Sequence, residues 1–573
     1  MREAAGKAKS AAFRGNGLWD ERALGLYGLV KHIPTARRVP SWAWGALVVM
    51  LALIVFLPAL RFPFFPFWDD DIHVHANPHI AQLSWASLGA LWTGPWQQLY
   101  IPLTYSVWAG LAALSRWWGG WPLASGPLTA VWFHGANVLL HATSAALAFA
   151  LIKQITMRFR PDVSADHLGL AAALGAALFV LHPLQVEPVA WISGLRDVLG
   201  GSLGLGALLV LFSGERLGPA RWSGATALFL ASLAAKPAGV ALPLMAGILA
   251  LQPFRWPGRK SLAVLLPWLL IGGVWVLVTS RAQWAADLAS GLVPLWARPL
   301  VAADALAFYA EKTLWPAGLA ADYGRAPNVV MASGQLWWTW LIPVGLAAAL
   351  TAVKRLRIFL VPAGLFAVAL LPTLGLVPFN FQLVSTVADR YAYLALLGPA
   401  LGLALIVAGS GRRWIWALAT AAVALLAAVS AQRLPLWSED LKLFASTLET
   451  NPRSWKAMHN YASALDDRGR SDEAEPLLRE VIALRPDSAE AHNDLGVILW
   501  NLGKKDEAAL MVQRALQLRP TTPTAQNLVQ MQAQRGDLAG LIEALRLVIQ
   551  LDPNNALARQ QLDQVLQQAA GQP

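Results

Sequence analysis

Cysteine is absent from the 573 residues, which excludes disulfides, zinc–thiolate sites and thiol nucleophiles and leaves the compartment open. Charge is scarce: 14% of the residues are Asp, Glu, Lys or Arg, against roughly 25% in soluble proteins. No P-loop, GxGxxG, HExxH or GxSxG pattern stands in a credible context, which argues against an ATP-driven pump and against a nucleotide-sugar enzyme of soluble type. The net charge of +11 does not mark a nucleic-acid partner. Its basic residues gather in short loops between apolar runs, where they orient helices.

What the chain has instead is apolar length. Hydrophobic residues make up 56%, tryptophan occurs 28 times, and mean hydropathy is +0.46. Apolar runs of about 16 to 25 residues repeat along the chain, and the tryptophans fall near their ends, as an interfacial belt requires. The expected fold class is therefore all-α: a polytopic membrane bundle of about 11 spans followed by a helical solenoid. Residues 1–40 read as a basic cytoplasmic segment and Trp42–Leu60 as an uncleaved first span. The remaining spans are expected near Leu128–Ile152, Leu168–Leu181, Val198–Phe212, Trp222–Ala235, Ala238–Leu251, Leu262–Thr279, Leu336–Val353, Ile358–Leu374, Tyr391–Gly409 and Trp414–Ser430. Pro102–Trp118 is short, opens on proline and carries Arg116, so it is read as interfacial, within a first outer loop of residues 61–127. This choice sends every later basic cluster inside. Residues 41–432 then form the membrane domain. An odd span count leaves 433–573 on the outer face, periplasmic if the host is a bacterium and the membrane its inner one.

Beyond Arg433 the composition turns polar. Pro452, Pro486 and Pro520 recur every 34 residues and Pro553 follows after 33, with Leu495, Gly496, Ala508 and Ala515 where paired helices need small or apolar residues. This is the signature of three tetratricopeptide repeats, whose concave face commonly holds a peptide.

The residues able to carry chemistry lie at predicted outer helix ends. Asp69, Asp70 and Asp71 follow an aromatic–proline stretch directly after the first span. Carboxylates at a partly dry surface can serve as a general base or as metal ligands. His73 and His75 share one face of an extended segment and could join them around a divalent metal, Mg2+ or Mn2+; no other cofactor is implied. In His182–Asp197, Arg196 could face an anionic headgroup with Glu187 or Asp197 orienting it, or the three could simply pair. In Val387–Tyr393, Arg390 between Asp389 and Tyr391 suits a lipid phosphate, or an interfacial anchor. Lys236 at another outer helix end is similar. His134, Asn137 and His141 occupy one helix face and could line a cavity or bond internally.

The ordered motifs WDDDIHVHANPHI, PLTYSVWAGL, WFHGANVLLHATSAALAFAL, ALFVLHPLQVEPVAWISGLRDVLGG, AAKPAGVALPLM and ADRYAYL, with the C-terminal repeats, resemble the transmembrane and TPR-containing O-mannosyltransferases and their bacterial relatives. The resemblance runs from about Phe62 to the end and is weakest between Trp284 and Leu371. It implies a GT-C membrane glycosyltransferase that takes a sugar from a polyprenyl-phosphate carrier. By resemblance Asp69 and Asp70 match the family's acidic pair, with Asp71 a third candidate and Asp70 the preferred base. Arg390 and Arg196, with Lys236, would neutralise the carrier phosphate, and His182 joins the supporting residues. A protein acceptor would lie on the repeats, for O-glycosylation at Ser or Thr. Mannose is encoded in no motif. The readings from other classes are a non-catalytic scaffold for envelope assembly and a transporter of lipid-linked sugars, since intramembrane polar residues serve transport equally well.

Overall fold

The computed structural model describes residues 40–66, 68–81, 83–118, 128–214, 217–283 and 293–570. The expected cytoplasmic segment lies outside the described residues except for Pro40. So do residues 67, 82 and 119–127 of the expected outer loop. Among the described residues every regular element is a helix, and the sole β-type pairing is a single bridge between Trp96 and Leu99.

Among the described residues six helical stretches are long and apolar enough to cross a membrane: Ser41–Arg61, Ala130–Phe159, Ile192–Phe212, Gly258–Gln283, Lys354–Thr373 and Arg413–Ser438. A seventh counts if Ala165–Leu181 and Pro183–Ala190, bent by 51°, form one span. By length and apolar composition alone this is fewer than the expected eleven. Prolines and 3-10 turns cut the remaining apolar runs into helices such as Pro237–Leu251, Leu336–Ala352 and Leu397–Ala408, each of 17 residues or fewer. At 1.5 Å per residue these fall short of a hydrocarbon core of about 30 Å. Pro219–Ala235 is likewise 17 residues, and Pro102–Trp118 is not among the long apolar helices.

Burial sorts these helices. Ile192–Phe212 is 78% buried across its apolar window and forms the centre, whereas Arg413–Ser438 is 17% buried and exposes Trp414, Leu418 and Leu425. Apolar surface of that kind is stable only against lipid. The central helices, which we label α5 (Ala130–Phe159), α6 (Ala165–Leu181), α8 (Leu195–Phe212) and α17 (Leu397–Ala408), are rich in Gly and Ala, which lets backbones approach closely where no hydrophobic force drives association. A Cβ placed on Gly175 of α6 would stand 2.5 Å from the Ala400 carbonyl oxygen on α17.

After Arg433 a 3-10 turn, Leu434–Ser438, leads into Asp440–Thr450 and then three helix pairs from Trp455 to Leu551, closed by Ala556–Ala570. The first helix of each pair is capped at its start by the side chain of Ser454, Ser488 or Thr521. Leu495, Gly496, Ala508 and Ala515 are buried between paired helices, as their spacing implied. Gly469, Gly503 and Gly536, with φ of 74°, 79° and 72°, make the left-handed turns between partners.

Gly175→Val should separate α6 from α17 at a cost of about 1–3 kcal/mol. The measurement is thermal unfolding of the detergent-solubilised protein, and an unchanged midpoint would show that the two helices do not need this contact.

Candidate active site

Where α6 ends, the chain turns inward instead of leaving the bundle. His182 takes an extended conformation, Pro183–Gln185 makes a 3-10 turn, Val186–Ala190 a single helical turn, and Ile192–Gly194 another before α8 begins. The whole segment from His182 to Leu195 is buried, so its backbone groups need partners within the protein. The polar face of α5 supplies several. Asn137 donates to the carbonyls of Trp191 at 2.6 Å and Val189 at 3.3 Å, and His141 sits 3.0 Å from both the Val180 carbonyl and the Tyr393 hydroxyl. His134 lies 3.4 Å from the Pro63 carbonyl and packs edge-on against Phe62. His182 accepts from the Leu184 N–H at 3.2 Å and reaches the Thr313 carbonyl at 3.1 Å. Of the two readings open for these residues, internal bonding is the one their geometry displays. Asn137 holds the inward turn, His141 the end of α6 and His134 the loop after the first span, and none of the four lines the cavity described below.

The acidic triplet meets this turn. Asp70 is buried; its Oδ1 accepts from the Ser193 hydroxyl at 2.5 Å and N–H at 3.0 Å, and its Oδ2 from the Phe65 N–H at 3.1 Å. Burial pushes its pKa up to about 6, against the lowering effect of the Ser193 and Phe65 donors. Asp69 faces the other way and accepts from Arg196 Nη2 at 2.8 Å. Burial raises its pKa, but the positive field of Arg196, with Arg390 further off, outweighs that and holds the carboxyl below its ordinary value. Asp71 starts a π-helical turn through His75 and lies 3.2 Å from the His75 ring. His73 is hydrogen-bonded to the Tyr105 hydroxyl at 3.1 Å, and burial lowers its pKa to about 4, so it is neutral at pH 7. The three carboxylates therefore point to three different partners. Among the described residues no three His, Asp or Glu side chains converge as a metal would require, so the possible Mg2+ or Mn2+ set of Asp69, Asp70, Asp71, His73 and His75 does not fit.

A third segment, Asp389–Ala392, closes the arrangement. Arg390 and Glu187, both buried, form a direct ion pair, and the Arg390 N–H also donates to Glu187 at 3.3 Å. The guanidinium lies 4.3 Å from the Phe381 ring centroid, 5.0 Å from that of Tyr391 and 5.5 Å from that of Trp191. Arg196 lies over the other part of this aromatic cluster, 5.3 Å from Trp191. Lys236 pairs with the buried Asp197 and sits 5.3 Å from the Tyr391 ring. Asp389 turns away to accept from Tyr323 at 2.5 Å and Arg433 at 3.4 Å, its pKa raised by burial.

These segments enclose a cavity of about 130 Å3. Its wall holds one carboxylate, Asp69, and two cations, Arg390 and Lys456; Trp68, Trp191, Phe381, Ile72 and Val384 complete it. Asp69, and not the preferred Asp70, thus faces the open space, because Asp70 spends its oxygens on Ser193 and Phe65. Arg390 reaches the wall while Arg196 and Lys236 do not. Sequence reasoning passed over Ser193 and Trp191, although both lie within the quoted stretch around Glu187, and over Phe381, Tyr105 and Lys456, which carry no local signal.

A folded-state pKa above the unfolded one means that Asp70 favours folding as pH falls through about 6 and weighs against it above that. Ser193→Ala removes a donor that matters most to the ionised form. The variant should lower the unfolding midpoint clearly more at pH 8 than at pH 5, and equal losses at both would show that the hydroxyl does not serve the carboxylate.

Residues 460–523 match the tetratricopeptide repeat family. A stretch amounting to 25% of the chain is 31% identical over 150 residues to the Mus musculus protein O-mannosyl-transferase TMTC1. One of 21% is 32% identical over 132 residues to the Drosophila melanogaster protein O-mannosyl-transferase Tmtc2. These matches span 16% and 13% of the relatives' own lengths. Two crystal structures of MamA are similar to 22% and 24% of the chain, covering 70% and 84% of those chains at 22% and 20% identity, with TM-scores of 0.21 and 0.23. The chain is therefore a helical membrane protein with tetratricopeptide repeats and a distant, partial similarity to O-mannosyltransferases.

Proposed function

We propose that the chain is a GT-C-type glycosyltransferase that moves a sugar, a hexose such as mannose, from a polyprenyl-phosphate carrier to Ser or Thr hydroxyls of a protein held by the repeats. In a bacterial host the site and the repeats would lie on the periplasmic face of the inner membrane. The observation that carries this reading is the cavity wall, which holds both the Asp69 carboxylate and the Arg390 guanidinium among three aromatic rings. That volume is small against the roughly 300–1,000 Å3 of sites that take whole drug-sized ligands, and suits a single polar headgroup.

In this reading Arg390 balances the negative charge that grows on the carrier phosphate as the anomeric carbon–oxygen bond breaks and its electron pair leaves with the phosphate. The acceptor oxygen bonds to the anomeric carbon, and its proton passes to Asp69, which its cationic neighbours keep ionised. Glu187 keeps Arg390 in place, and Asp70 fixes the backbone that carries Asp69. The rings of Trp68, Trp191 and Phe381 offer apolar faces to the sugar and exclude water. The partners are then the lipid-linked donor, the bilayer and a protein acceptor.

The test is transfer from a labelled polyprenyl-phosphate sugar to proteins of a periplasmic extract by the purified full-length protein. Asp69→Asn should reduce transfer by about 100-fold or more with the unfolding midpoint kept, whereas Asp71→Asn should retain it. Undiminished transfer by Asp69→Asn would remove this carboxylate from the chemistry, and donor binding without transfer by the parent protein would favour the scaffold or transporter.

A further inference from the structure

Three of the cations around the cavity already have carboxylate partners. Arg390 pairs with Glu187, Arg196 with Asp69 and Lys236 with Asp197. The fourth, Lys456, also lines the cavity, yet among the described residues it has no ion-pair or hydrogen-bond partner. It belongs to the membrane domain neither in sequence nor in element, since it sits in the first turn of Trp455–Asp466, the opening helix of the repeats.

Its position is fixed by contacts of the chain that leads into its helix. Ser454, two residues earlier, donates its hydroxyl to the buried Asp322 carboxylate. Upstream, Phe444 packs against Trp68 at 5.8 Å and Phe65 at 6.4 Å, and Trp437 against Trp191 at 6.1 Å and Phe65 at 5.8 Å. Trp68 and Trp191 are themselves wall residues, so the repeats are packed onto the site and not hung from a loose linker.

We propose that Lys456 is the uncompensated cation that recruits the phosphate of the lipid donor, so that the first repeat is part of the donor site. The inference rests on the reading of the cavity as a lipid-phosphate site. An anion entering this cavity meets Asp69 as well as Arg390, and Arg390 is partly neutralised by Glu187. The charge that tips the balance toward binding comes from Lys456. The consequence is a coupling between two jobs usually assigned to separate domains: whatever shifts the opening repeat helix, including a peptide on its concave face, shifts a donor contact with it.

Calorimetric titration of the full-length protein in detergent with a short-chain polyprenyl monophosphate tests this, with the matching uncharged polyprenol and inorganic phosphate as comparison ligands. Lys456→Ala should weaken the monophosphate about 10-fold and leave the polyprenol unchanged, and Lys456→Arg should restore most of the loss. Equal monophosphate affinity in the parent and in Lys456→Ala, with both unfolding alike, would overturn the role of Lys456 and leave the cavity reading standing. A parent protein that binds monophosphate no better than polyprenol would overturn the phosphate site itself. Inorganic phosphate binding as tightly as the lipid, and weakened equally by Lys456→Ala, would assign the residue to a free anion and also overturn the lipid-donor role.

Discussion

A carboxylate buried at the end of a membrane bundle has to be answered on both oxygens, and Asp70 is answered by two chain segments at once. Its Oδ1 takes the backbone and side chain of Ser193 from the inward turn, and its Oδ2 takes the N–H of Phe65 from the loop after the first span. An unsatisfied oxygen there would cost about 1–3 kcal/mol or more, so loop and turn are held together. Everything else about the site follows from that join. With Asp70 turned inward, the helical sense of the backbone directs Asp69 outward to Arg196. The π-helical turn that follows sends His73 to Tyr105, and the cavity wall takes in both Asp69 and Arg390.

The inward turn is costly in its own way, because a buried irregular segment has no helix ladder to use up its backbone groups. Its solution is distributed. Asn137 reaches it from α5, Gln185 bonds the carbonyls of Phe179 and Tyr393, and Gly194 lacks the Cβ that would overlap the Pro188 carbonyl. The segment around Arg390 is braced from the opposite side by Tyr309, whose hydroxyl lies 3.0 Å from both the carbonyl and the N–H of Ala388. Polar residues within the membrane domain thus divide into a few on the cavity wall and a larger set that keeps the wall in shape.

Legibility in the sequence divides along the same line. The acidic triplet stood out because three charges at a membrane exit are expensive, and the repeats stood out because a 34-residue period leaves a proline at each joint. Which aspartate faces the cavity was not legible, since three consecutive residues differ only in the turn their backbone later takes. Ser193 was invisible as well: its hydroxyl matters because of a carboxylate 123 residues away, and no local pattern encodes that separation. Lys456 reads locally as a solvated lysine in the first turn of a repeat helix, and only the packing of Phe444 on Trp68 brings it to the site. The helices long enough to span are fewer than the expected apolar runs for a different reason. Hydropathy registers apolar runs but not the prolines at 183, 237 and 372 that divide or bend the helices within them.

The contact between Phe444 and Trp68 also bears on the order in which the protein is made. Synthesis delivers the acidic triplet early, the inward turn next, Arg390 later and the helix carrying Phe444 after every long apolar stretch has emerged. A nascent chain with these long apolar stretches in the bilayer still has an open-sided cavity, without the Lys456 wall and without the aromatic ring that covers Trp68. The site is therefore assembled last and from the C-terminal third, so an interrupted chain inserts without forming it.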